Sequence, residues 1–314
     1  MLMKPEVIVR VPFPPESIAL LEEDFTVYYA PTLPELEKAI REHGATTRGV
    51  VTNGSIGLTG DQIRAIPHLE MIHTVGVGYE KIDMEAVREK KIIVANNAGT
   101  NAFSVAEQAL GLLLAVLRDI PAAERAVRSG IWEEARYPRP LIFEKRVGIV
   151  GLGEVGLGVA KRVQAFEATV LYHNRRPREG APYEYYSTTR ELAAASDILI
   201  ISCPGGEETR HLVNRDVLAA LGPSGVLINV GRGSVVDTAA LVEALHGKVI
   251  AAAGLDVWEG EPVISPELAG APNVILSPHI GGRSPEAVVF ARRQISKNLK
   301  AHFFGKGDIV HRIA

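Results

Sequence analysis

Directly after the β-branched run Arg146–Val150, and opening a helical stretch over Val155–Phe166, the chain reads Gly151-Leu152-Gly153-Glu154-Val155-Gly156. A G-x-G-x-x-G sequence alone is weak, because any α/β protein can turn on glycines. Placed between a strand and a helix, it has the context needed to grip a dinucleotide. Gly151 permits the tight turn, Gly153 lets backbone approach a pyrophosphate, and Gly156 lets the helix pack closely on the strand. Free N–H groups and a partial positive charge at the helix start then meet the phosphates. All six residues, with Leu152, Glu154 and Val155 supplying backbone, are candidate cofactor contacts.

The following strand indicates which dinucleotide. About 20 residues past the loop, a carboxylate would hold the adenosine ribose of NAD. This chain has Tyr172-His173-Asn174-Arg175-Arg176 there. A carboxylate would repel a 2′-phosphate, whereas an amide followed by two guanidiniums suits one. The expectation is NADP(H), bound through Asn174, Arg175 and Arg176, with NAD as the weaker alternative. The bland alternative is a solvated basic turn, which describes Arg176 better than Arg175.

Three later strands end in reactive groups, and ligands of open α/β sheets collect at the carboxyl ends of strands. Gly225–Val230 runs into Gly231-Arg232-Gly233. Ala251–Val257 carries Asp256 and leads to Glu259-Gly260-Glu261-Pro262. Asn273–Ser277 ends in Pro278-His279-Ile280-Gly281-Gly282. Reducing a ketone takes a hydride at carbon and a proton at oxygen, and a nicotinamide supplies the first. A histidine suits the second because it titrates near neutrality. A hydrogen-bonded carboxylate orients an imidazole, and an arginine fork matches a 2-keto acid. Taken singly, His279 could be structural and Arg232 a loop ion pair; their joint arrival at strand ends beside a dinucleotide loop carries the reading. His173 and His211 lack such company and are expected at the surface.

These motifs, Asn229–Asp237 (NVGRGSVVD), Gly254–Pro262 (GLDVWEGEP) and Pro278–Gly282 (PHIGG), closely resemble the D-isomer-specific 2-hydroxyacid dehydrogenases in order and spacing. The resemblance covers nearly the whole chain. It implies that Arg232 binds the substrate carboxylate and carbonyl, that His279 is the general acid, and that Glu261 is its carboxylate partner. Glu259 is the rival, set aside because the family's carboxylate directly precedes the proline. By the same resemblance Asp256 contacts the nicotinamide carboxamide, and Cys203, Pro204, Val230, Gly231 and Gly281 line the cofactor. Val75–Tyr79 resembles the family's carboxylate-binding loop, with the Val77 N–H and Gly78 as contacts. Asn53 would form another wall, Asn96 resembles part of the crossover into the cofactor domain, and Asn101 would face the substrate. No metal is implied.

Glu261 argues against formate dehydrogenase, where a glutamine stands at this place. The chain stops at Ala314, so a regulatory extension of the phosphoglycerate dehydrogenase kind is not expected. Cys203-Pro204-Gly205-Gly206 and the arginine pair look like glyoxylate/hydroxypyruvate reductases and hydroxyphenylpyruvate reductases. The expected substrate is glyoxylate or hydroxypyruvate, with hydroxyphenylpyruvate or another bulkier 2-keto acid as the alternative. S-adenosylhomocysteine hydrolase and alanine dehydrogenase use a similar cofactor domain but are disfavoured by the Arg232–Glu261–His279 set. A nucleotide-sensing corepressor is the non-enzymatic alternative; such proteins favour NAD(H) and carry disordered tails.

Placing these residues requires parallel sheets with crossover helices, because β-branched runs alternate with helical segments almost throughout. With 314 residues and about eleven strands, two Rossmann-like or flavodoxin-like α/β domains with an active-site cleft between them fit better than one sheet. The resemblance implies a discontinuous substrate domain, residues 1–99 plus 285–314, around an NADP-binding domain, residues 100–284. Helix 101–117, its start marked by the capping-box pattern Ser104–Glu107, would pack across a two-fold axis as a homodimer. A net charge of −3 gives no reason to expect nucleic acid or an anionic membrane. The single cysteine, Cys203, permits no internal disulfide, and the N-terminus shows no secretory pattern; a cytoplasmic location is expected.

Overall fold

The computed structural model describes residues 4–314. The chain divides into two compact units, Met1–Asn101 with Pro285–Ala314, and Ala102–Ser284. The first seam thus falls just after Asn101 rather than after residue 99.

The first unit holds five parallel strands: β1 (Glu6–Val9), β2 (Thr26–Tyr29), β3 (Thr47–Thr52), β4 (Met71–Thr74) and β5 (Ile93–Ala95), in the order β2-β1-β3-β4-β5. Alternation sends Ile8 and Val50 to one face, with Leu36, Leu58 and Ile63, and Val7, Val9 and Val51 to the other, with Leu21, Ile295 and Leu299. Helix Pro15–Glu22, which follows β1, therefore covers one face, and helix Gly60–Arg64, which follows β3, covers the opposite one. The order reverses between β1 and β3, the topological switch point of a flavodoxin-like sheet.

The second unit holds β6 (Arg146–Val150), β7 (Thr169–His173), β8 (Glu184–Tyr186), β9 (Ile198–Ile201), β10 (Val226–Asn229), β11 (Ala252–Leu255) and β12 (Val274–Leu276). Their order, β12-β11-β10-β9-β6-β7-β8, is all parallel and is the doubly wound dinucleotide-binding arrangement, with its switch point between β6 and β9. Near-continuous apolar runs such as Ile198–Ile201 are buried on both faces, as covered parallel strands must be. Two parallel-sheet α/β units were expected and are found. The strand not anticipated is β8, three residues long; its signal was the aromatic run Tyr183–Tyr186.

The helix expected over residues 101–117 spans Ala102–Arg118. Ser104 does not cap it. The residue lies inside the first turn, and its hydroxyl donates to the Gly281 carbonyl at 2.6 Å. A capping-box pattern was present, but a tertiary partner claimed the hydroxyl. No helix among the described residues is long and apolar enough to cross a membrane.

Candidate active site

The glycine loop leaves β6 at the switch point. Gly151 has φ +96°, and a Cβ there would stand 2.6 Å from the Cys203 backbone nitrogen, so only glycine fits against the end of β9. A Cβ on Gly156 would strike the Gly151 carbonyl, which holds helix Glu154–Gln164 hard against the loop. At Gly153 the added Cβ would meet nothing within 4 Å, leaving its backbone open to close approach. That combination of a locked turn, an open middle glycine and a helix N-terminus fits a dinucleotide pyrophosphate.

Asn174 is tied into this loop: its Oδ1 accepts the Leu152 N–H at 2.7 Å, and Tyr185 holds its carbonyl at 3.2 Å. Arg175 pairs with Glu208 at 2.9 Å, both side chains well exposed, and Arg176 forms no ion pair among the described residues. An exposed pair of this kind contributes little and can yield to a competing phosphate. Sequence reading missed Arg178, whose guanidinium donates to the Leu152 carbonyl at 2.9 Å and approaches Glu154 at 3.7 Å. A further basic residue two positions beyond Arg176 was its signal. Ser202 was missed as well; its hydroxyl donates to the Gly151 carbonyl at 2.9 Å. Cys203 is buried, and burial pushes its thiol up to about 11, so it is a space-filling wall and no nucleophile.

Arg232 follows β10. Asn229 brackets its turn, accepting from the Gly231 N–H at 3.1 Å and donating to the Arg232 carbonyl at 3.1 Å. The guanidinium is half-buried, with Nη1 on the Gly231 carbonyl at 2.8 Å and its stem against Gly205, where a Cβ would come within 3.0 Å. Val230 and Gly231 are buried beneath it, whereas Pro204 is exposed.

His279 and Glu261 meet: Nδ1 donates to Glu261 Oε1 at 2.7 Å. Glu261 Oε2 is buried without a partner, while the imidazole is half exposed. Glu259 is committed elsewhere, accepting from His211 Nε2 at 2.8 Å and from the Thr238 N–H at 3.1 Å. His211, expected to be an isolated surface histidine, therefore has a carboxylate partner; the sequence separation of 48 residues hid it. His173 is also engaged, donating to the Tyr186 carbonyl at 2.9 Å.

His279 sits at φ +52°, a conformation that costs energy in a non-glycine residue and needs outside support. Asp256 provides it. Only 2% exposed, its carboxylate accepts from Ser277 Oγ at 2.5 Å, from the Ile280 N–H at 3.0 Å and from the Gly281 N–H at 2.8 Å. Gln108, on helix Ala102–Arg118, also reaches Ser277 at 2.9 Å. Asp256 thus clamps the histidine loop.

In the first unit, Val75–Tyr79 follows β4. Asn96 donates to the Val77 carbonyl at 2.8 Å and Asn97 to the Val75 carbonyl at 2.9 Å, which fixes the loop from the end of β5. Val77 is exposed and Gly78 partly so. Asn53, after β3, turns its own loop by accepting the Ser55 and Ile56 N–H groups. A Cβ on Gly54 would lie 2.5 Å from Gly78, so the two loops touch. Asn101 is partly exposed at the unit's edge. No cluster of three or more His, Cys, Asp or Glu able to hold a metal occurs among the described residues.

The family model for the NAD binding domain of D-isomer specific 2-hydroxyacid dehydrogenases matches residues 110–281. The chain is 41% identical over 287 residues to glyoxylate/hydroxypyruvate reductase A of Arabidopsis thaliana, covering 91% of this chain and 92% of the relative. It is 40% identical over 287 residues to the hydroxyphenylpyruvate reductase of Plectranthus scutellarioides, with the same coverage. Among solved structures it is similar to an NADPH-dependent glyoxylate/hydroxypyruvate reductase from Sinorhizobium meliloti in complex with NADP and malonate. That likeness has a TM-score of 0.87 and 38% identity over 99% of this chain and 97% of the other. With the glycine loop, the strand-end arginine and the histidine–glutamate pair in one unit, and relatives matching over nearly full length, the chain belongs to the D-isomer specific 2-hydroxyacid dehydrogenase family.

Proposed function

We propose that the protein reduces a small 2-keto acid, glyoxylate or hydroxypyruvate in first place, to the D-2-hydroxy acid with NADPH. The observation that carries this reading is the 2.7 Å His279–Glu261 pair, held in the same unit as Arg232 and the glycine loop. When bound, the nicotinamide supplies the hydride. Residues 102–284 would hold it as the cofactor domain, and the first unit would supply the substrate loop.

Each protein group then has a defined task. Glu261 fixes the imidazole through Nδ1 and leaves Nε2 to deliver a proton to the carbonyl oxygen. Asp256 and Gln108 hold the backbone on which that histidine stands. Arg232 carries a planar fork suited to the carboxylate and to charge growing on the carbonyl oxygen. Val77 and Gly78 would add backbone N–H donors to the carboxylate, with Asn53 and Asn101 at its edges. Asn174, Arg175 and Arg176 favour the 2′-phosphate because that strand end carries no carboxylate. The relatives named as glyoxylate/hydroxypyruvate reductases support the substrate class. No observation favours the corepressor alternative.

A homodimer and a cytoplasmic location complete the proposal. Helix Ala102–Arg118 buries much of its apolar surface within its own unit. The exposed apolar side chains come after it, at Ile120, Val127, Trp132, Tyr137, Leu141 and Phe143, and this stretch is the surface a second copy would cover.

The test is turnover of glyoxylate, hydroxypyruvate, pyruvate and hydroxyphenylpyruvate with NADPH, followed by chiral analysis of the product. The D-hydroxy acid is expected; an L product or no turnover would overturn the proposal.

A further inference from the structure

The first unit contains a buried cation that nothing in the reductase reading uses. Arg10 follows β1, and its backbone N–H extends the ladder to the Val51 carbonyl at 2.9 Å. Val9 and Val11 both belong to the apolar cluster with Leu21 and Leu299, so Arg10 between them points to the opposite face, that of Ile8. The residue is 8% exposed. Its Nε and Nη1 are buried with no hydrogen-bond partner, and it forms no ion pair among the described residues. Burial lowers the pKa of the guanidinium, with no carboxylate to offset it.

A buried, unpaired guanidinium is a costly arrangement, since charges leave water at a loss unless an opposite charge meets them. Its location gives the arrangement a purpose. Arg10 stands at the carboxyl end of β1, where the sheet order reverses between β1 and β3, and that is where open α/β sheets take ligands. On the same face the neighbouring strand ends present Ala30 after β2 and Thr52 in β3, neither of them charged. Thr52 spends its hydroxyl on the Gly57 carbonyl at 3.1 Å. Helix Leu33–His43, which packs on this face through Leu36, begins just after β2 and adds its N-terminal partial positive charge to the same edge.

We infer that Arg10 is the centre of an oxyanion-binding site at the switch point of the first sheet, taking a small carboxylate or phosphate anion. The fork geometry of a guanidinium accepts either group through two parallel N–H bonds. An anion held there would neutralise the buried charge and so stabilise the first unit. The site belongs to that unit alone and does not depend on Arg232.

The test follows thermal unfolding of the full chain in an anion-poor buffer, titrated in separate arms with sodium malonate and sodium phosphate. Three proteins are compared: wild type, Arg10→Met and Arg232→Ala. The Arg10→Met chain should melt higher than wild type without added anion, because an uncompensated charge has been replaced by an apolar side chain of similar length. On titration the wild-type Tm should climb towards it, and Arg232→Ala should climb in parallel with wild type. Arg10→Met should show only the smaller, general response to excluded salts. A response to malonate alone assigns a carboxylate ligand, and one to phosphate alone a phosphorylated ligand. Equal responses of wild type and Arg10→Met in both arms would overturn the inference. Should Arg10→Met fail to fold, Arg10→Lys keeps the charge without the fork and should bind the anion at least about tenfold more weakly; a response equal to wild type would again overturn it. Because the readout is equilibrium stability, the result is independent of whether the chain turns over any keto acid.

Discussion

His279 Nδ1 lies 2.7 Å from Glu261 Oε1, although 18 positions separate them in the chain. The contact joins the loops after β11 and β12, and Asp256 below fixes one of them through three hydrogen bonds. A proton donor held this way needs no rearrangement when the carbonyl oxygen begins to carry charge, which is the condition under which general acids are most effective.

Replacing His279 by alanine should lower kcat by about 10²–10⁴-fold, the usual scale for losing a general acid. Glu261→Gln keeps the shape but not the charge and should produce a smaller loss. Steady-state kinetics with saturating NADPH check both, and an unchanged kcat in His279→Ala would remove that residue from its role.

Gly205 has no conformational need for glycine that its φ reveals, yet a Cβ there would come within 3.0 Å of the Arg232 stem. Gly205→Ala should therefore push the guanidinium away from its place and act as a milder version of Arg232→Ala. Displacing a substrate-orienting group by up to an ångström can cost about 10²-fold. KM for the keto acid should rise and kcat fall together, with binding of NADPH unchanged; unaltered kinetics would show that Arg232 tolerates the shift or is not used.

Asn174→Asp tests the cofactor reading. The new carboxylate would keep an acceptor for the Leu152 N–H, now at 2.7 Å, while facing the 2′-phosphate with a like charge. Repulsion at about 4 Å amounts to ~1–4 kcal/mol depending on solvent exposure, so kcat/KM with NADPH should fall by roughly tenfold or more. The value with NADH should hold or rise. Kinetics with both nucleotides measure this, and an unchanged ratio would contradict it.

His73 makes the first unit sensitive to acid. Fully buried, it accepts from Asn298 Nδ2 at 2.9 Å through Nε2 and donates from Nδ1 to the Thr74 carbonyl at 3.0 Å, which requires the neutral ring. Burial lowers its pKa from 6.5 to about 4. The folded state then binds fewer protons than the unfolded chain across that window, so the stabilisation is complete above pH 6.5 and is lost as pH falls towards 4. The loss should reach about 3 kcal/mol. Denaturant unfolding at pH 7 and pH 4.5 checks it, and His73→Gln should flatten this part of the decline.

Much of this was legible in the sequence because its signals are local. Gly151–Gly156 sits between a strand and a helix, and the strand-end motifs around Arg232, Glu261 and His279 are contiguous. Parallel strands buried on both faces announce themselves as apolar runs, as Ile198–Ile201 does. What escaped was tertiary. Nothing near Ser104 reveals that its hydroxyl turns to Gly281, 177 residues away, and nothing near His211 reveals Glu259. Arg178 and Ser202 were missed because their partners are backbone carbonyls of the glycine loop, and a carbonyl leaves no mark on the sequence. Strand β8 was missed because three residues are too short for a periodic signal.

The account stands most directly on a comparison of kcat/KM for NADPH and NADH in the reduction of glyoxylate and hydroxypyruvate by the wild-type chain. It predicts turnover of at least one of these keto acids with NADPH preferred. Absence of nucleotide oxidation with either acid, or a clear preference for NADH, would contradict it.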